Sequence, residues 1–353
     1  MAYATIDKPN LHFTAYLRNG VYAVSGTTNF DIGFQPDLSI MKVRSTTGAN
    51  DWTDAVRGAN KQIKSNSDAV EQSVSAVTAF LSNGFTITNE NDYTSSETIV
   101  HWLWKANGAG SSNTNGTISS TVSANTTSGF SIVSYTGNGT SGATVGHGLG
   151  VAPKMIIIKN RTRVDAWPVD VRFANGILYL NETGGSLGSY GAIEPYVSTA
   201  PTSTVFSLGS APNTNNNTSN LIAYCFAEVK GFSKFGSYIG NGNANGTFVY
   251  TGFKPAFLLL KRNVNATNWQ LFDNKRDPFN VMYRLLSINN TNAEATADPT
   301  VTNVDFLSNG FKLPTTWDGV NGSGSTYYYM CFAESPFVSS KGIPTTARWF
   351  GLS

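Results

Sequence analysis

The sequence predicts an all-β protein built from three tandem β-sandwich-like (jelly-roll or lectin-like) domains with short terminal arms. Three observations carry that expectation: a long internal repeat, a composition rich in Gly, Thr and aromatic residues, and short apolar runs bounded by turn residues. The repeat is the strongest of them. Tyr16-Leu-Arg-Asn-Gly20, Tyr135-Thr-Gly-Asn-Gly139 and Tyr238-Ile-Gly-Asn-Gly242 open three copies. A proline-led apolar run follows in each, Pro36 to Lys42, Pro153 to Lys159 and Pro255 to Lys261, with six positions from proline to lysine every time. Next come Trp52, Trp167 and Trp269, then turns into Phe85, Phe206 and Phe311. The copies close on Trp102-Leu-Trp-Lys105, Tyr224-Cys-Phe-Ala-Glu228 and Met330-Cys-Phe-Ala-Glu334. These units exceed the roughly 20–50 residues of a solenoid repeat, so each is expected to be a domain with its own core.

In chain order, residues 1–10 read as an extended arm and 11–108 as the first β domain. Residues 109–232 read as a linker plus the second domain, 233–338 as the third, and 339–353 as a tail outside the repeat. In the first copy Ser39 interrupts Leu38, Ile40 and Met41, so this strand is expected to meet solvent or a weaker layer on one side. One helix is expected from Ser67 to Phe80. Val70, Val74, Val77 and Leu81 fall at four-, three- and four-residue spacing, with Ser67 as N-cap. The polar, Gly-rich stretch 109–116 reads as the linker, and 117–127, where Ile118, Ser120 and Val122 alternate with Thr and Ser, as an edge strand. Met155–Ile158 and Phe257–Leu260 are continuous apolar runs, as in strands covered on both faces. Asn-Gly pairs at 83–84, 138–139, 241–242 and 309–310 are expected to supply positive φ in tight turns. Ser233 begins the third copy with almost no spacer, which implies rigid packing of the last two domains.

Composition narrows the function. The chain has 353 residues, 13% of them charged, with a formal net charge of +2. That leaves no field to favour nucleic acid or an anionic membrane, and no apolar stretch approaches the roughly 20 residues of a membrane span. The N-terminus lacks the basic start and apolar run of a secretory signal, so synthesis in a cytoplasm is expected. Cys225 and Cys331 occupy matching places and are expected to be buried thiols packing as small hydrophobes. No Cys/His spacing points to a metal, the glycine turns lack the context of a nucleotide loop, and no cofactor is expected.

Candidate chemistry meets a structural reading at each position. His12, His101 and His147 do not recur between copies, and none adjoins a serine or cysteine in a nucleophile pattern. His147 sits in a turn and is expected to serve local hydrogen bonding. Glu228 and Glu334 recur once per domain, unlike the two carboxyls that share one glycosidase cleft. Asp54/Arg57 and Asp273/Arg276 are expected to be surface ion pairs that fix loops. The three tryptophans are expected to pack at core edges. Strand alternation turns Tyr328 away from Tyr327 and Tyr329, which makes it a candidate partner contact. So are Tyr3, Ile6, Ile343, Trp349, Phe350 and Leu352, which make the terminal arms too apolar for free tails.

The motif strings also carry a family resemblance. Gly129-Phe-Ser-Ile-Val-Ser-Tyr135 through Gly139, and Val145-Gly-His-Gly-Leu-Gly150 through Asn160, resemble a domain family of unknown function found in virion structural proteins of marine tailed bacteriophages. Tyr224 to Gly242, Asp305 to Lys312, Met1 to Asp7 and the late Pro344-Thr-Thr-Ala-Arg348 are similar to the same family. The resemblance implies a non-enzymatic virion structural protein displayed on the particle, foremost a tail fibre or receptor-binding component. A capsid-decorating or head-fibre protein is the alternative, and a glycan depolymerase a more distant one. Other virion proteins and a host surface glycan or protein are the implied partners, and family analogy favours a homotrimer. The first copy departs most from the pattern and is the candidate attachment module.

Overall fold

The computed structural model describes residues 5–19, 26–74, 76–88, 97–173, 176–185, 196–197, 199–264, 266–296 and 303–335. The first repeat contains β1 (Phe13–Asn19), β2 (Thr27–Asp31), β3 (Leu38–Val43), β4 (Asn50–Asp54), β5 (Ile63–Lys64), β6 (Val77–Leu81), β7 (Gly84–Thr88) and β8 (Thr98–Trp104). The second contains β9 (Ser111–Asn113), β10 (Ser120–Asn125), β11 (Phe130–Thr136), β12 (Thr144–Gly146), β13 (Met155–Asn160), β14 (Pro168–Val171), β15 (Gly176–Tyr179), β16 (Val205–Ser207) and β17 (Asn220–Phe226). The third contains β18 (Ser233–Ile239), β19 (Thr247–Tyr250), β20 (Phe257–Arg262), β21 (Gln270–Asp273), β22 (Arg284–Ser287), β23 (Ala295–Thr296), β24 (Asp305–Leu307), β25 (Gly310–Leu313) and β26 (Thr326–Phe332).

Each repeat is a sandwich of one large and one small antiparallel sheet. The large sheets run β1-β8-β3-β4-β5, β9-β10-β11-β17-β13-β14-β15 and β18-β26-β20-β21-β22-β23. The small sheets are β2-β7-β6, β12-β16 and β19-β25-β24. The registers match: Leu38 opposes Trp104, Met155 opposes Phe226 and Phe257 opposes Phe332. Pro36, Pro153 and Pro255 therefore precede equivalent strands. Gly33, Gly150 and Gly252, three residues before each proline, all adopt positive φ of 84°, 74° and 84°.

The cores explain why both faces of the large sheets are apolar. One face packs on the small sheet and makes a private core, around Phe85 in the first repeat, Phe206 in the second and Phe311 in the third. The opposite faces of all three large sheets meet in a single shared core. At its centre lie Trp104, Phe226 and Phe332, the last residues of the three closing strands. Their ring centroids form a near-equilateral triangle of 5.6, 6.0 and 6.3 Å, each contact edge-on. Equivalent residues in a closed triangle define a pseudo-threefold axis inside one chain. The repeats are thus not three separately cored domains on a string; each shares a second core with the other two.

Several expectations are corrected. The described residues of 67–80 form no helix: Gln62 and Gln72 make an antiparallel bridge and 77–81 are β6. Val70 and Val74 are exposed, so their helical spacing does not mark a buried face, and β-branched valines favour the extended chain. The expected linker contributes β9, which pairs with β10 and takes the sheet edge from it. β3 is buried on both faces, Ser39 included. The glycines at 84 and 310 are not turn residues with positive φ. They sit where backbones nearly touch, since a Cβ would lie 1.8 Å from the Phe30 oxygen or 2.1 Å from the Val249 oxygen.

The repeat alignment itself shifts by two residues in places. Tyr135 and Tyr238 match Arg18, not Tyr16, because β1, β11 and β18 start in register at Phe13, Phe130 and Ser233. Trp167 and Trp269 match Asn50, since these three continue the strand pairs opposite Lys159, Lys261 and Lys42. Trp52 lies two residues further along. Far from core edges, all three tryptophans are fully buried in the shared core.

Candidate functional site: the junctions around the threefold axis

Buried polar groups bridge the repeats where they meet, and they recur in cyclic order. Lys159 of the second repeat donates to the Asp68 oxygen of the first at 2.8 Å. Lys261 of the third donates to Thr183 O of the second at 2.7 Å, and Lys42 of the first to Asn290 O of the third at 2.8 Å. The neighbouring position repeats the pattern: Trp167 Nε1 donates to Ser67 O, Trp269 Nε1 to Tyr179 O, and Asn50 Nδ2 to Asn290 O. Every junction is therefore bridged from the same two strand positions, and the third closes the ring. Burial pushes each of the three lysines down to about 8, although the carboxylates Asp51, Asp165 with Asp68, and Glu182 respectively favour their charged forms.

Two junctions carry a buried charge network. Between the first and second repeats, Asp54 accepts from Arg57 Nε at 2.5 Å and from the Tyr224 hydroxyl at 2.8 Å. Arg57 also pairs with Glu71, which receives a bidentate bond from Arg161 at 2.9 Å on both arms. Between the third and first, Asp273 accepts from Arg276 Nε at 2.5 Å and from Trp102 Nε1 at 3.0 Å. Glu294 then bridges Arg276 and a bidentate Arg44. The Asp/Arg pairs expected at the surface are in fact wholly buried, with no exposure of either side chain. Burial opposes the charge of Arg57 and Arg276, yet Asp54 and Asp273 keep both pKa values above the ordinary one. Burial likewise works against Glu71 and Glu294, but bonds from Arg161 and Arg44 hold both carboxyls below their usual range.

Among the described residues, the junction between the second and third repeats shows none of this network. Val171 stands at the aspartate position, Gly185 at the glutamate, Asn263 at the second arginine and Met330 at the donor, and the sequence has Ala174 three residues after Val171 where the other copies have arginine. A Cβ on Gly185 would lie 2.2 Å from the Asn263 oxygen, the approach that Glu71 makes to Arg161 through its backbone N–H. Concerted replacement is what desolvation demands, because one missing partner would strand a buried charge.

A serine–histidine contact unforeseen in the sequence lies in the private core of the first repeat. His101 Nε2 is 3.1 Å from Arg18 Nη1, and its Nδ1 is 3.0 Å from Ser39 Oγ. Arginine can only donate, so Nε2 accepts, and Nδ1 carries the proton and donates a hydrogen bond to Ser39 Oγ. This polarity is opposite to that of a base activating a hydroxyl. Burial, then the Arg18 charge, pushes His101 well below its ordinary pKa. His147 accepts from Leu149 N within its turn, the local bonding expected of it, and also lies 3.2 Å from Thr202 O, 55 positions away. Glu228 and Glu334 pair with Lys234 and Lys275. Among the described residues, no group of three His, Cys, Asp or Glu side chains is assembled to hold a metal, and no helix is long and apolar enough to cross a membrane.

Of the candidate assembly contacts, Ile6 and Tyr328 are placed, and both turn inward. Ile6 lies in the shared core while Thr5 N donates to Lys230 O at 3.3 Å, so the arm docks on its own chain. Tyr328 is buried in the shared core and meets Phe173 of the second repeat edge-on at 5.8 Å. Tyr3, Ile343, Trp349, Phe350 and Leu352 lie outside the described residues. Cys225 and Cys331 are free, buried and in matching strands, as expected.

No curated protein matches the chain, and no solved structure does. One family model matches residues 8–336, a span that takes in all three repeats and all of the shared core but Ile6. The chain belongs to the family described as a domain of unknown function, DUF7483.

Proposed function

We propose that this chain is a non-enzymatic structural protein displayed on a bacteriophage particle, as a tail fibre or receptor-binding component. The observation that carries the reading is the closed ring. Its repeats are locked by equivalent hydrogen bonds and a common aromatic centre, an arrangement suited to holding shape while presenting loops. The resemblance of residues 129–160 and 224–242 to virion proteins supports the same reading. One observation favours a second: a pseudo-threefold axis within one chain suits a threefold site, which favours capsid decoration. The homotrimer expected by analogy competes with this, because the chain supplies threefold symmetry alone. Antibody labelling of intact particles, or a particle reconstruction, tests the proposal. Density at the tail supports the first reading, density on the shell the second, and absence from the particle overturns both. Light scattering then separates a monomer near 37.8 kDa from a trimer.

A further inference from the structure

We propose that the outward face of the small sheet of the third repeat is a binding site for a neutral glycan. Strand alternation places Phe248 and Tyr250 of β19 side by side on this face, about 7 Å apart along the strand. They are 46% and 64% exposed, while Val249 between them is buried in the private core. Phe248 opposes Lys312, which opposes Asp305, and Tyr250 opposes Gly310. The Lys312 ammonium is held by Asn245 Oδ1 at 2.9 Å. The Phe248 ring reaches across to Gly310, where a Cβ would stand 3.0 Å from it, so the aromatic surface is set against bare backbone.

Comparison with the other repeats separates scaffold from function. The same registers put Asn29 and Asp31 in the first repeat, and Thr144 and Gly146 in the second, at the positions of Phe248 and Tyr250. Those repeats fold with polar or small residues there, so the fold does not require the aromatic pair. Two rings with an amide, an ammonium and a carboxylate at their rim match a sugar, whose C–H faces stack on aromatic rings while its hydroxyls bond polar groups. Lys312 and Asp305 cancel, which leaves no field to select a charged ligand. Size decides against a protein partner. Three strands of three or four residues span roughly 200 Å², far below the about 800 Å² per partner of a stable protein interface.

The inference rests on this face alone and survives if the particle assignment fails. Affinity electrophoresis of the full chain through gels containing dextran, galactomannan or laminarin tests it, with alginate as the acidic control. Retardation by at least one neutral polymer is expected, with at least a tenfold weaker association for Phe248→Ser/Tyr250→Ser. Asn29→Ser and Thr144→Ser should leave retardation unchanged, and the buried tryptophans report that each variant is folded. The proposal is overturned if no neutral polymer retards the chain, if only alginate does, or if the folded double variant is retarded as strongly. Self-association by light scattering that the double variant abolishes would assign the face to a second copy instead.

Discussion

Replacing Asp273 by valine tests whether the charge networks act as units. Asp273 is the partner of Arg276 Nε and the acceptor for Trp102 Nε1, and all three side chains are buried. Removing it leaves the Arg276 guanidinium with Glu294 and the carbonyls of Leu271 and Arg284. Breaking a buried pair costs about 3–5 kcal/mol, and the orphaned indole N–H adds about 1–3 kcal/mol. Because Arg276 retains other partners, the lower end of each applies, giving a loss of roughly 4–6 kcal/mol. The double variant Asp273→Val/Arg276→Met removes the stranded charge and approaches the junction between the second and third repeats, where Val171 takes the aspartate position. Its loss should fall to about 1–3 kcal/mol, most of it from Trp102. Urea unfolding followed by tryptophan fluorescence measures both. A double variant no more stable than the single one would refute the view that the three junctions are alternative solutions to one desolvation problem.

Three further outcomes follow from the buried groups. Lys42, Lys159 and Lys261 should titrate near pH 8 in ¹³C spectra of labelled lysine, well before exposed lysines near 10.5. Their folded pKa values lie below the unfolded one, so the folded chain binds fewer protons above pH 8, and stability should rise with pH until the unfolded thiols and tyrosines, whose folded values burial raises, ionise from about 9 to 10. Titration of all lysines together near 10.5 would contradict this. Glu71 and Glu294 have the opposite linkage: their folded values lie below the unfolded 4.5, so their contribution is complete above that pH and is lost as acid carries the solution through the folded values. Glu71→Gln/Glu294→Gln should flatten the dependence of the urea midpoint on pH below 4.5, and an unchanged slope would count against the networks. Burial raises the pKa of Cys225 and Cys331, so thiol reagents at pH 8 should label neither until the chain unfolds, and rapid labelling of the native protein would contradict the closing-strand packing.

The sequence makes the repeats legible because their signals are local. Pro36, Pro153 and Pro255 mark equivalent strands, and Phe85, Phe206 and Phe311 mark equivalent strand partners. Register escaped it wherever a residue type recurred on the same face two positions away. Tyr16 and Trp52 matched by identity, whereas the hydrogen-bond ladders assign those places to Arg18 and Asn50. The helix over 67–80 failed because valine spacing alone does not say which valines are buried. The junctions were hidden for a different reason, since cyclic contacts join residues 78 to 250 positions apart. Their signal was nevertheless present. Arg44 and Arg161 both lie eight residues after the proline, Asp-x-x-Arg occurs in two copies, and the remaining junction has Asn263 and Val171 at the matching places. The glycan face left a trace of the same kind, aromatic residues in one copy where the other two have none.

The closed ring is tested most directly by distances between equivalent sites. Gln35, Ala152 and Lys254 precede the three prolines and reach solvent, and the native thiols are buried. Spin labels on cysteines at these positions, taken in pairs, give three distances by pulsed electron resonance. A pseudo-threefold ring requires three similar values; one distance near the sum of the other two would mean a linear string of domains and would contradict the shared core.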